Sequence, residues 1–287
     1  MKILVLGYLF PNALYPNIGV FVLNRIKAVS SYCDIKVVNP VPWFPFSRYT
    51  KKYKHFAQIP KVEIQDGIEV HHPRFFIVPR FFKILDSVTY LVAAWGASRK
   101  LYKKFPFELI DLHWTYPDIL AGRMLSKYFK CRFNVHVRGK PALNIFSKQK
   151  GEVKEKSLRT LMLKKLLPQA AKVIPVSHEL ELICSSFGVK QDNIITIPNG
   201  VDTFFFHYKD KSTCREQLNL PTSKRIIISV GNFIYRKGFD RFFDFLNDIV
   251  AVHSELLYVV LGSEREEPQT ALKLKNQVKA LELTQHV

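Results

Sequence analysis

Acidic residues are scarce in this chain. Across 287 residues, 24 Asp and Glu stand against 43 Lys and Arg, a formal net charge of +19. That balance excludes a surface built to repel anions and favours acidic partners: phosphorylated small molecules, anionic lipid head groups or nucleic acid. Cysteine is sparse too. Cys33, Cys131, Cys184 and Cys214 lie far apart with no C-x-x-C pair, which excludes a disulfide framework and a thiolate metal site and fits a reducing compartment. Long apolar runs are missing. The best candidate, VTYLVAAWGA at 88–97, stops at ten residues, about half of what a spanning helix needs. The opening MKILVLGYLFPN has no small-x-small cleavage site, so it reads as a strand and a loop, not as a secretory leader. Metal-ligand spacings are lacking as well. His71 and His72 are adjacent and would face opposite sides of a strand, so no metal and no cofactor is expected. These absences together place the chain in the cytoplasm.

What is present is a hydrophobic share of 47%, enough for well-formed cores. Strand and helix patterns alternate along the chain. KILVLGYLF is a strand, NIGVFVLNRIKAVSS a helix and CDIKVVNPV a strand. KVEIQDGIEVHHPRF reads as a hairpin, because Asp66 and Gly67 sit between two alternating runs. Helical periodicity returns at about 83–104. Then FELIDLHW, CRFNVHVRG, AKVIPVS, IITIPNGVD, IIISVG and LLYVVLG are strands, separated mostly by helices such as DILAGRMLSKYF and SLRTLMLKKLLPQA. This alternation implies an α/β fold with parallel sheets covered on both faces and ligands at the carboxyl ends of the strands. The charged, proline-punctuated stretch at 204–220 marks a boundary. It divides an N-terminal domain, 1–205, from a C-terminal one, 206–287, whose two strands are too few to bury a parallel sheet.

Three stretches stand out, the first and the last of them for phosphate chemistry. Gly19 lies between a strand and a helix, where the backbone can approach an anion with the amides of Val20 and Phe21 behind it. In VIPVSHELELICSSFGVKQDNIITIPNGVD, Ser177 is an N-cap with Glu179 and Glu181 in the first turn, Gly188 follows the helix, and a tight Pro-Asn-Gly turn closes the stretch. In SVGNFIYRKGFDRF (229–242), a strand ends at Gly231, and Arg236 and Lys237 precede a helix with Phe239, Phe242, Phe243 and Leu246 on one face. A cation at a helix N-terminus suits a diphosphate.

Taken in order, the P-x-x-G-x-F-V opening, IPNGVD and the VGNFIYRKG loop resemble the family-four glycosyltransferases over essentially the whole chain. The resemblance implies two Rossmann-like domains of the GT-B architecture and transfer of a sugar from a nucleotide-diphosphate donor with retention. It implies that Lys237 holds the donor diphosphate and that Gly231 admits the nucleotide. Gly262 would flank the base, and Gly19 would lie by a phosphate. Asn232 stands where many relatives have Arg, and Arg236 is the replacement cation. His113 and Arg138 are the implied catalytic candidates, each at a strand end. Arg138 and Gly139 fit the family's strand-end motif, but Pro141 stands where Asp is usual and His136 lies two positions early.

The family's later paired-glutamate signature and several strand-helix units are absent, so the C-terminal domain is expected to be incomplete and completed by a second chain or lost by truncation. Between 43 and 106, 12 basic residues are interleaved with 14 aromatics and only 4 acids. That mixture suits a membrane interface and a glycan or lipid-linked acceptor at the inner membrane face. A non-catalytic membrane partner is the second reading. Nucleic-acid binding ranks last, because no recognised module accompanies the charge.

Overall fold

The apolar run KILVL forms β1 (Lys2–Leu6), buried on both faces, as a central parallel strand must be. The computed structural model describes residues 1–45, 54–77, 85–139 and 158–287. It divides the chain into two units, Met1–Val201 and Asp202–Val287.

In the first unit, α1 (Val20–Ser30), β2 (Asp34–Val38), β3 (Val41–Trp43), β4 (Val62–Gln65), β5 (Ile68–His71) and β6 (Arg74–Phe76) follow β1. Next come α2 (Leu85–Tyr102), β7 (Leu109–Leu112), α3 (Asp118–Phe129), β8 (Arg132–Val137), α4 (Leu158–Leu166), β9 (Lys172–Pro175) and α5 (His178–Ser186). The main sheet has the order β4-β5-β2-β1-β7-β8-β9. All its pairs are parallel except the hairpin β4–β5. That hairpin turns on Asp66 and Gly67, both at positive φ, as a two-residue hairpin turn requires. β3 and β6 form a separate parallel pair.

The winding reverses between β1 and β7, which pair from Ile3↔Leu109 to Leu6↔Leu112. A reversal opens a crevice at the carboxyl ends of the two strands, because their outgoing connections run to opposite sides. One sheet face carries Leu4, Leu6, Ile110, Leu112, Val135 and Val173, packed against α2, α3, α4 and α5. The other carries Ile3, Val5 and Val37, packed against Val22, Leu23 and Ile26 of α1. Ser177 caps α5 by accepting from the Leu180 amide at 3.4 Å.

The IITIPNGVD run is not the strand that its composition suggests. It makes one parallel bridge, Val173↔Ile194, and the Ile195 and Ile197 amides donate to β9 carbonyls. Pro198, with no N–H, cannot continue that ladder. Arg48, Lys51, Lys52, the Lys54 side chain and Pro141 lie outside the described residues.

The second unit contains α6 (Lys211–Gln217), β10 (Arg225–Val230), α7 (Phe239–Val252), β11 (Leu256–Leu261) and α8 (Pro268–Ala280). The helix α6 falls in a stretch whose charge reads as a linker; Asp210 starts it by accepting from the Thr213 amide at 2.9 Å. β10 and β11 are parallel. Phe239, Phe243 and Leu246 of α7 pack on Tyr258, Leu274 and Leu283, while Ile228, Val230 and Leu261 stay at least half exposed. Among the described residues, no helix is long and apolar enough to cross a membrane.

Candidate functional site

Polar side chains collect at the carboxyl ends of β7 and β8. Side chains alternate along a strand, so Asp111 and His113 share one face, as do Asn134, His136 and Arg138. Asp111 Oδ2 accepts from His113 Nε2 at 3.0 Å, and both its oxygens lie 3.1 Å from His136 Nε2. The two imidazoles stack 4.3 Å apart and 16° from parallel. Arg138 donates to His113 Nδ1 at 3.1 Å and to Asn199 Oδ1 at 2.6 Å, and its guanidinium lies over the Phe21 ring at 4.9 Å. The IPNG turn therefore fixes the arginine that fixes the histidine.

These contacts define the protonation pattern. Arg138 can only donate, so His113 Nδ1 accepts and its proton sits on Nε2, directed at Asp111. Burial lowers His113 to about 4, helped by His136, against the pull of Asp111. Burial alone would raise Asp111, but the two imidazoles overcome it and hold the carboxyl well below its usual range. Burial, reinforced by the charge of Arg25, lowers Arg138 to about 10.

The sequence suggested no metal-ligating set, and here the structure differs. Asp111, His113 and His136 bring ligand-type atoms within 4.8 Å of one another. Reading His71 and His72 alone missed it; those two are engaged by Glu69 and Glu63. The Nε2 atoms of both rings point at the same Asp111 oxygen, at 3.0 and 3.1 Å.

His113, a candidate at a strand end, is 1% exposed and is held between Asp111 and Arg138. Gly19 was expected to be pinched against a ligand. The structure gives a nearer cause: at φ +73°, an added Cβ would lie 2.8 Å from the Leu9 carbonyl carbon. The chain's own backbone occupies that space. Gly19 is the residue before α1 and stands two positions from Phe21, so it belongs to the same strand-end neighbourhood as Arg138.

In the second unit, Gly231 and Gly262 follow β10 and β11. The Gly231 amide donates to Leu261 O at 2.8 Å, and a Cβ on Gly262 would fall 1.9 Å from Gly231 O. Gly262 is thus required by the close passage of the two strand ends. Gly231 carries the Lys237 stem across it; its Cβ would meet Lys237 Cε at 3.1 Å. Lys237 ends a 3-10 turn, Tyr235–Lys237, and Gly238 at φ +70° starts α7. Lys237 and Arg236 are exposed, and neither has an ion-pair partner among the described residues. Asn232 is committed elsewhere: its Nδ2 donates to Glu266 at 2.8 Å and its Oδ1 accepts from the Ser263 amide. Glu267 accepts from the Tyr235 amide at 3.1 Å. The glutamates that follow β11 therefore set the cationic loop, a role that their charge alone did not announce.

A doubly wound parallel sheet with a polar crevice at its reversal, followed by a parallel strand-helix unit with a cationic loop, fits the GT-B class, and the family models agree. Residues 36–204 match Glycosyltransferase Family 4, and residues 210–287 match Glycosyl transferases group 1. The chain belongs to Glycosyltransferase Family 4. Its fold resembles sucrose-phosphate synthase from Thermosynechococcus elongatus, with TM-score 0.73 and 16% identity over 100% of this chain and 69% of that one. It also resembles HepE of Anabaena solved with UDP and glucose, with TM-score 0.61 and 15% identity over 100% of this chain and 68% of that one. A glycosyltransferase from Rickettsia africae gives TM-score 0.62 and 14% identity over 99% of this chain and 66% of that one. No curated protein matches the chain in sequence.

Proposed function

We propose that this chain transfers a sugar, with retention, from a nucleoside-diphosphate donor to a glycan or lipid-linked acceptor at the cytosolic membrane face. The observation that carries the reading is Lys237: an exposed cation at the start of α7, its stem laid across Gly231. When a nucleoside diphosphate departs, negative charge grows on the leaving oxygen. An ammonium and helix amides already aimed there stabilise it without reorganising. Arg236 is the second cation in place of Asn232, whose side chain is spent on Glu266. In this reading His113 and Arg138 are the catalytic candidates, and the Gly19 turn approaches a phosphate. UDP is the donor nucleotide we favour, since HepE was solved with UDP. The exposed outer face of β10 and β11 supports a second chain covering it.

Titration of the chain with UDP tests this reading. Binding is expected, and Lys237→Ala should weaken it by about tenfold or more, the usual weight of a charged hydrogen bond. Equal affinity in both proteins would remove Lys237 from the donor site.

A second observation favours membrane association. Phe204, Phe205, Phe206 and Tyr208 are each at least 66% exposed, beside Lys209 and Lys211. Aromatics at head-group depth next to cations suit an anionic lipid surface.

A further inference from the structure

The apolar stretch VTYLVAAWGA lies within α2, and its apolar side chains go all round the helix. Tyr90, Ala94 and Leu101 are buried, yet Leu85, Val88 and Val92 are 48%, 46% and 66% exposed. Those three fall three and four positions apart, on one line along the helix. The outward line of a surface helix is ordinarily polar. The neighbouring helices extend it. Met124 and Tyr128 of α3 are exposed, with the Tyr128 ring 4.5 Å from that of Trp95. Leu158 and Leu161 of α4 are exposed as well.

The charge of these helices is one-sided. Residues 85–104, 118–130 and 158–166 hold ten Lys and Arg. Their acids are Asp86 and Asp118, and Asp118 is fully buried. Among the described residues, the ion pairs of Lys and Arg are made by Lys27, Lys36 and Lys275, all on other elements. The ten cations of this face are thus without an acidic partner. Arg99 and Lys100 stand in the last turn of α2, with Lys103 and Lys104 just beyond it. That turn leads into the amino end of β7, so the apolar half of α2 is the half nearer the carboxyl-end crevice.

We propose that the outer face of α2, α3 and α4 docks on an anionic phospholipid bilayer. Leu85, Val88 and Val92 reach the acyl boundary, and Arg99 and Lys100 meet the lipid phosphates. A second copy of the chain is a poor occupant. A two-fold interface sets a patch against itself and would oppose these unpaired cations to their own kind. A nucleic acid would use the cations and leave the aliphatic line in water. The assignment deepens the membrane part of the proposed function. It adds a face of the first unit to the aromatics at 204–208, and stable attachment to a bilayer commonly takes two weak signals together.

The test is sedimentation of the full chain at low salt with vesicles of phosphatidylcholine alone and of phosphatidylcholine and phosphatidylserine in equal parts. The mixed vesicles should bind about tenfold or more tighter than the neutral ones. Val88→Asp with Val92→Asp should weaken binding to the mixed vesicles by about tenfold or more, the weight of one buried Val, with an unchanged circular dichroism spectrum. Arg99→Gln with Lys100→Gln leaves the aliphatic line intact and decides the question if the first variant misfolds. It should weaken binding about thirtyfold, a factor of about five for each cation. Wild-type affinity in either folded variant, or a wild-type chain that binds no vesicle, overturns the proposal. Random duplex DNA held by the chain while vesicles stay unbound would assign the face to nucleic acid instead. No UDP is present in these assays, so a chain that binds vesicles but not UDP keeps this face and loses the donor reading, while the converse loses only this face.

Discussion

His113 is held neutral by burial at about 4, well under its ordinary 6.5, and that has a stability consequence with a definite sign. In the unfolded chain it protonates as the pH falls through 6.5; in the folded chain it resists until about 4. Its contribution is therefore complete above pH 6.5 and is lost as the pH falls towards 4, with a slope of up to ~1.4 kcal/mol per pH unit. Urea midpoints measured between pH 8 and 5 should be flat at first and then fall. His113→Gln should flatten the falling limb, and an unchanged limb would place the titration elsewhere. The strand position of His113 was legible in DLHW, and Arg138 in HVRG. Their mutual contact was not, because it depends on the register Leu112↔Val135 that aligns β7 with β8. The signal that was available is alternation: Asp111 and His113, then Asn134, His136 and Arg138, are polar at every second position of two otherwise apolar strands. Arg25 gave no signal, since a lone arginine on an amphipathic helix is ordinarily solvated.

Elements with strong local chemistry could be read directly. The hairpin at Asp66 and Gly67, the Ser177 cap and the apolar face of α7 all arise from neighbours in sequence, and all are present. IITIPNGVD illustrates the opposite case, since its outcome depends on what the neighbouring strand offers and on Pro198. The pair β10–β11 shows why glycines at strand ends resist reading from sequence. Gly262 suggested a nucleotide flank, yet the nearest atom to its absent Cβ is Gly231 O at 1.9 Å. Gly262→Ala must push the two strand ends apart and should cost about 3 kcal/mol, the upper range for overpacking. Thermal unfolding followed by hydrogen exchange in residues 225–261 would show it; protection equal to the wild type would mean that the loop yields cheaply.

At the scale of the molecule, the charge of +19 is a statement about partners and not about fold. Phe204, Phe205 and Phe206, beside Lys209 and Lys211, give that charge a local setting. Sedimentation with phosphatidylserine vesicles should carry the chain down at low salt, and Phe204→Ser with Phe205→Ser should release it. If the double variant sediments as before, these aromatics are not the lipid contact. The class of the fold was legible because strand-helix alternation imposes parallel sheets whatever the detail. The separation at Asp202 was harder to place, because α6 is short, charged and capped by a single aspartate.

The donor site in the second unit is the centre of the functional reading, and hydrogen exchange of the intact chain with and without UDP tests it most directly. Protection is expected to rise in the amides from Gly231 to the first turn of α7, around Lys237, with little change in α8. Uniform exchange across that loop at saturating UDP, or protection confined to the first unit, would contradict a diphosphate held at Lys237.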